Sequence, residues 1–213
     1  MIAIVDYGLG NLRSIWNMLR RIGVEAVVTS DASLIAEADK LILPGVGAWD
    51  AGVRGLDASG LRDLLDHKVL HEKTPVLGIC LGMQLLCRRS EEGTLLGLGW
   101  IDADVVRFDA SVAAQGLKVP HMGWNEVDVA HAHPLFDAQA DEPAYYFVHS
   151  YHAHCDDMGD VLGWTTHGVR FPAALARGNV MGAQFHPEKS HRHGMALLAG
   201  FARMPVPALA GGV

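Results

Sequence analysis

Short apolar runs alternate with stretches whose apolar residues recur every three or four positions through the first ninety residues of the chain. Ile2-Ala3-Ile4-Val5 is followed by Leu12, Ile15, Trp16, Leu19 and Ile22, which fall on one face of a helix. Gly23 stops that helix, and Asn11 or a neighbour caps its start. EAVVT (25–29) reads as a second strand, residues 31–38 carry a short helical pattern, and KLILPGVG (40–47) holds a third strand. Leu61, Leu64 and Leu65 mark another helix before PVLGI (75–79) runs into Cys80. Strands and helices in this rhythm predict an α/β fold, a parallel sheet covered by helices.

From about residue 95 the pattern changes. Strand-like pieces follow one another with turn residues between them: WIDADVVRF (100–108), NEVDVA (125–130), YYFVHSY (145–151), VLGWTT (161–166) and VMGAQF (180–185). A helix from about 191 to 203 closes the pattern. The expectation is one domain over residues 1–203, a central, mostly parallel sheet flanked by helices with an added antiparallel layer. MPVPALAGGV (204–213), rich in Pro, Gly and Ala, is expected to be a disordered tail.

Composition narrows the partners more than the fold. The 213 residues are 50% hydrophobic and 19% charged, and a formal net charge of -7 argues against a nucleic-acid-binding surface. Cys80, Cys87 and Cys155 form an odd set without CxxC spacing, so neither a disulfide framework nor a structural zinc site is indicated. The start MIAIVDYGLG puts Asp6 inside what would be the apolar core of a signal peptide, with no positive charge before Arg13. The most apolar run, near 75–87, contains Gln84 and is shorter than the roughly 20 residues of a membrane span. A soluble, cytoplasmic protein with a small-molecule or protein partner is expected.

The run VLGICLGMQLL (76–86) sets Cys80 where a strand turns into a helix. Open parallel sheets bind ligands beyond the carboxyl ends of their strands. Gly78 and Gly82 are small enough to flank a strained strand-to-helix elbow of the kind that exposes a nucleophile. A helix N-terminus at that point favours a thiolate, and the Leu81 N–H would face a bound oxyanion. Cys87, one heptad further on, reads as a core residue, and Cys155 has no convergent partners in the sequence.

A thiolate nucleophile needs a base held by a third group, and QFHPEKS (184–190) offers one. Pro187 drives His186 into an extended conformation, which would put His186 and Glu188 on one side of the chain about 6.5 Å apart along the backbone. Alone, His-Pro-Glu would be an ordinary surface strand end; its weight comes from the cysteine elbow. Pro44-Gly45-Val46-Gly47 ends its strand at the same edge, and its glycines let the Val46 N–H point into the site or away from it.

With Gly-x-Cys-x-Gly-x-Gln complete at 78–84 and His-Pro-Glu at 186–188, the chain resembles the class I glutamine amidotransferases. DYGLGNLRS (6–14), LPGVGAW (43–49), VPHMGWNEV (119–127), FVHSY (147–151) and GAQFHPEKS (182–190) narrow the resemblance to the glutaminase subunits of imidazole glycerol phosphate synthase. Trp49 stands where phenylalanine is expected, and SHRHGM (190–195) is richer in histidine than that family. The resemblance implies a flavodoxin-like class I amidotransferase fold and a Cys80, His186, Glu188 triad. Cys80 would attack the side-chain amide carbon of glutamine, and His186 would protonate the departing ammonia and then activate water against the thioester. Glu188 would hold the imidazole. Val46 and Leu81 are implied as oxyanion donors, and Gly47, Gln84, His149, Ser150 and Tyr151 as positions that hold glutamine. Asn11, Arg13, Trp124, Lys189 and Ser190 are implied to face a partner, a (β/α)8-barrel cyclase subunit. That subunit would use the ammonia to make imidazole glycerol phosphate and an aminoimidazole carboxamide ribotide in histidine biosynthesis. Neither cofactor nor metal is implied.

Other readings are weaker. Gly8-Leu9-Gly10 suggests a dinucleotide fingerprint, but Arg13 stands where the third glycine would fall and Asp31 comes late for a ribose partner. His131-Ala132-His133 and His191-Arg192-His193 lack a matching cysteine or carboxylate cluster and read as solvated surface. An unrelated cysteine hydrolase is disfavoured by Gln84 and His149-Ser150-Tyr151, and a silent partner protein by the complete triad.

Overall fold

The computed structural model describes residues 1–136 and 143–206. The first half alternates as its pattern predicts: β1 (Ile2–Val5), α1 (Leu12–Arg21), β2 (Ala26–Thr29), α2 (Ala32–Glu37), β3 (Lys40–Gly45), α3 (Trp49–Ser59), α4 (Arg62–Asp66, continued by a π-helical turn His67–His71), β4 (Val76–Cys80) and α5 (Leu81–Leu85). After it come β5 (Arg89–Ser90), β6 (Ala103–Arg107), α6 (Ala110–Ala114), β7 (His121–Glu126), β8 (Asp128–Val129), β9 (Ala144–His149), β10 (Tyr151–Cys155), β11 (Val161–His167), β12 (Val169–Arg177), β13 (Val180–Ala183) and α7 (His191–Arg203).

The main sheet has eight strands in the order β2-β1-β3-β4-β13-β12-β11-β8. Its first five are parallel, and β12, β11 and β8 continue it antiparallel. Counted alone, the parallel strands have the 2-1-3-4-5 order of flavodoxin-like sheets. β1, β3, β4 and β13 are buried along their whole length, which is why they read as unbroken apolar runs. Each fully buried Ile4, Ile42 or Leu77 side chain contributes roughly 1.5–3 kcal/mol of transfer free energy. The added layer is a three-stranded sheet, β10-β6-β5, and a two-stranded ribbon, β7-β9.

Several local expectations need correction. Asn11 occupies the N-cap position of α1, yet its side chain makes no capping bond and instead accepts from the Ser14 hydroxyl at 3.0 Å. α5 ends at Leu85, so Cys87 lies beyond the helix rather than on it, although it is fully buried as expected. α3 and α6 escaped notice: Gly52 and Gly55 dilute the stripe of Trp49, Val53 and Leu56, and α6 is a single turn capped by Asp109. α7 keeps the bounds read from the sequence, and Lys40 donates to the Ala202 carbonyl in its last turn. Residues 207–213 of the expected tail lie outside the described residues.

Candidate active site

Sheet register decides which residues meet at the carboxyl edge. β3 pairs with β4 so that Gly45 lies abreast of Cys80, and β13 pairs with β4 so that Ala183 lies beside Ile79. The three residues after Ala183 therefore carry His186 to the same edge.

Cys80 sits at φ +54°, ψ −113°, a region costly for a residue with a Cβ. The surrounding packing enforces it. A Cβ on Gly82 would stand 1.8 Å from the Leu43 carbonyl oxygen, and one on Gly45 would stand 2.6 Å from the Gly82 nitrogen. The elbow and the end of β3 thus touch backbone to backbone, and glycine is required on both sides. The Tyr7 hydroxyl donates to the Pro44 carbonyl at 2.5 Å and ties down the end of β3.

His186 is extended, and its N–H donates to the Tyr146 carbonyl at 2.9 Å. Glu188 does not follow by simple strand alternation, as the sequence suggested. Pro187–Lys189 form a 3-10 turn that folds the carboxylate back onto the ring, with Nδ1 to Oε1 at 2.8 Å. The carboxylate accepts, so Nδ1 holds the proton and Nε2 is left for the cysteine. Nε2 is buried and makes no hydrogen bond, and the same is true of Glu188 Oε2. Burial alone would lower the His186 pKa; Cys80 first and Glu188 second outweigh it and push it up to about 9.

A cleft of about 400 Å³ opens at this point. Its lining contains Cys80 and His186, both expected oxyanion residues, Val46 and Leu81, and all five expected glutamine positions, Gly47, Gln84, His149, Ser150 and Tyr151. The Gln84 amide nitrogen donates to the Tyr151 carbonyl and to Gln184 Oε1, each at 3.0 Å, which leaves its own Oε1 to offer a ligand. The cleft adds Glu92, which the sequence reading missed. Glu92 Oε2 accepts from the Trp49 N–H at 2.9 Å, and the Trp49 indole donates to the Leu95 carbonyl at 2.8 Å. Trp49 thereby anchors the loop that presents Glu92.

Of the expected partner-facing residues, Arg13 and Lys189 are exposed, Asn11 is half-buried and Trp124 is 49% exposed. Lys189 Nζ lies 5.5 Å above the Tyr146 ring. Ser190 is a correction. It is fully buried, its hydroxyl donating to the His186 carbonyl at 2.6 Å and accepting from the Tyr146 N–H at 3.0 Å, so it clamps the His186–Lys189 turn and presents no surface. His131 and His191 are exposed, and His191 stacks on Trp124 with ring centroids 5.5 Å apart. Among the described residues, no group of three His, Cys, Asp or Glu side chains is placed to hold a metal ion, and no helix is long and apolar enough to cross a membrane.

Residues 3–204 match the glutamine amidotransferase class-I family. The chain is 49% identical to the imidazole glycerol phosphate synthase subunit HisH 2 of Methanococcus maripaludis, over 95% of this chain and 99% of that one. It is 48% identical to the subunit of the same name from Pseudomonas aeruginosa, over 96% of this chain and 100% of the other. Among solved structures, a glutamine amidotransferase superposes with a TM-score of 0.72 at 20% identity, covering 94% of this chain and 97% of that one. A chain of PurLQS from Thermotoga maritima superposes with a TM-score of 0.70 at 19% identity, covering 94% of this chain and 96% of that one. These two likenesses speak for the fold.

Proposed function

This chain belongs to the class-I glutamine amidotransferase family, and we propose that its cleft hydrolyses glutamine for an imidazole glycerol phosphate synthase. It is the glutaminase subunit of that enzyme and serves histidine biosynthesis. The observation that carries the reading of the cleft is the pairing at its floor: a strained Cys80 beside His186, whose Nδ1 is held by Glu188 and whose Nε2 has no other partner.

The Cys80 sulfur attacks the side-chain amide carbon of glutamine while its proton is lodged on His186. Backbone N–H groups of Val46 and Leu81 receive the oxyanion, and His186 returns the proton to the leaving nitrogen, releasing ammonia. His186 then takes a proton from water as it attacks the γ-glutamyl thioester, and glutamate and the free thiol are regenerated. Gln84 Oε1 and the Glu92 carboxylate are acceptors suited to the α-ammonium of the substrate. Gly47, His149, Ser150 and Tyr151 supply the remaining walls.

Ammonia passes to a (β/α)8-barrel cyclase subunit in a heterodimer formed in the cytoplasm. Arg13, Trp124 and Lys189, with the half-buried Asn11, form the face offered to it. Residues 1–203 act as one unit.

Alkylation tests this reading. A diazoketone analogue of glutamine is expected to label Cys80 stoichiometrically, and millimolar glutamine to block the labelling. Labelling at the same rate with and without glutamine would remove the glutamine pocket.

A further inference from the structure

Four histidines, His121, His149, His152 and His167, pack around Phe108 beside the cleft, with ring centroids 6.4, 5.3, 4.9 and 5.6 Å from the phenyl ring. Only His149 lines the cleft. His121 comes from β7 and is 4% exposed. Its Nδ1 lies 3.1 Å from His149 Nε2, and His149 Nδ1 lies 2.8 Å from the Tyr151 carbonyl oxygen.

The direction of every proton in this chain follows from its last acceptor. A carbonyl only accepts, so His149 Nδ1 carries the hydrogen. Burial drives the His149 pKa well below its ordinary value, so the ring is neutral and its Nε2 accepts. His121 Nδ1 must then donate. Burial, with the neighbouring His167, holds His121 down to about 4, so its Nε2 is an acceptor and Asn125 Nδ2 faces it at 3.4 Å. The His121 ring is held in plane by stacking on His167 at 4.2 Å and on Phe147 at 4.9 Å, while His167 Nε2 is itself bonded to the Lys118 carbonyl at 2.8 Å.

The Tyr151 carbonyl thus takes two donors, His149 Nδ1 and Gln84 Nε2. The second of these sets how the Gln84 amide is turned, and with it the Oε1 that faces the cleft. We propose that His121 is a positioning residue for glutamine binding: by donating to His149 Nε2 it reinforces the Nδ1–H tautomer that the Tyr151 carbonyl selects, which fixes the Tyr151 carbonyl and the Gln84 amide at the cleft wall. This rests on the cleft being the glutamine site. His121 touches no reacting atom; it acts through His149.

Free histidine favours the Nε2–H tautomer, so the inference predicts an unusual state that can be read without substrate. In the full chain labelled with 15N-histidine, His149 is expected in the Nδ1–H form from pH 6 to 8; an Nε2–H form would overturn the proposal with no variant needed. His121→Phe keeps the ring packing and removes the donor. In the complex with the cyclase subunit it should shift the His149 tautomer and raise the glutamine KM about tenfold, leaving kcat within about twofold, the size expected for one lost hydrogen bond. His121→Asn, whose amide can reach the place of Nδ1–H, should recover most of the KM. An unchanged KM in His121→Phe, or a fall in kcat with KM unchanged, would overturn the proposal. Absence of glutamine turnover in the wild type would overturn the functional reading of the cleft, whereas the change of His149 tautomer in His121→Phe reports on His121 without any turnover.

Discussion

The two ends of the parallel strands handle buried polar groups in opposite ways. At the amino end, Lys68 is nearly inaccessible, yet its ammonium is bonded to the Ala36 carbonyl at 2.6 Å and to Glu72 at 3.0 Å. Lys40 reaches the Ala202 carbonyl, and the Asn179 amide bridges the Val69 and Thr74 carbonyls, each at 2.9 Å. At the carboxyl end, His186 Nε2 and Glu188 Oε2 are buried without partners, and Cys80 is held at positive φ. Buried groups are ordinarily satisfied because an unmade hydrogen bond costs about 1–3 kcal/mol. The carboxyl end tolerates that cost where the proposed chemistry calls for a nitrogen free to exchange a proton with the sulfur. At the parallel strands, the amino end keeps Lys68, Lys40 and Asn179 bonded, and the carboxyl end leaves one atom each of His186 and Glu188 open.

Cys80→Gly breaks the comparison most sharply. Glycine adopts φ +54° without strain, so the variant should lose glutamine hydrolysis by roughly 10⁴-fold or more while keeping or raising its thermal stability above about pH 9, where the His186 proton no longer contributes. Stopped-assay glutaminase rates and calorimetric melting read the two effects separately. Melting several degrees below wild type at that pH would mean that the elbow carries no stored strain.

What the sequence made legible follows from how local each signal is. The elbow could be read because two glycines and a cysteine within five residues encode a backbone approach that any larger side chain would block. The parallel strands could be read because burial on both faces leaves continuous apolar runs. Glu92 could not, since its place depends on a bond to Trp49, forty-three residues away. The resemblance put Ser190 on the partner face, and only the hydroxyl found spanning His186 and Tyr146 shows that it is buried. His121 was seen as part of a motif, but its bond to His149 exists only once β7 and β9 pair, with the two histidines abreast. Long-range hydrogen bonds are what sequence pattern leaves unwritten.

The His186 pKa gives a second, smaller way to sharpen the contrast. Folding raises it from an ordinary 6.5 to about 9, so the folded chain binds this proton more tightly than the unfolded one. The resulting stabilisation is fully present below about pH 6.5 and is lost as pH rises through about 9. Melting temperature should therefore fall over that window in the wild type. Cys80→Gly removes the sulfur, the larger of the two opposing influences on His186, and should flatten the slope. Parallel slopes for the two proteins would place the proton elsewhere.

Lys68→Met should have the smallest effect, and it isolates the amino end. The substitution keeps an unbranched apolar stem in a buried channel and removes an ammonium with two partners. Glu72 is 30% exposed and regains water, so the main loss is the unsatisfied Ala36 carbonyl and the broken hydrogen bonds. A destabilisation of about 2 kcal/mol is expected in urea unfolding, with the denaturant slope unchanged. Glutamine kcat and KM should stay at wild-type values, because Lys68 lies at the opposite end of the strands from Cys80 and contributes nothing to the cleft. If KM or kcat moved with stability, the two ends would not be independent, and the strands between them would be carrying strain from one to the other.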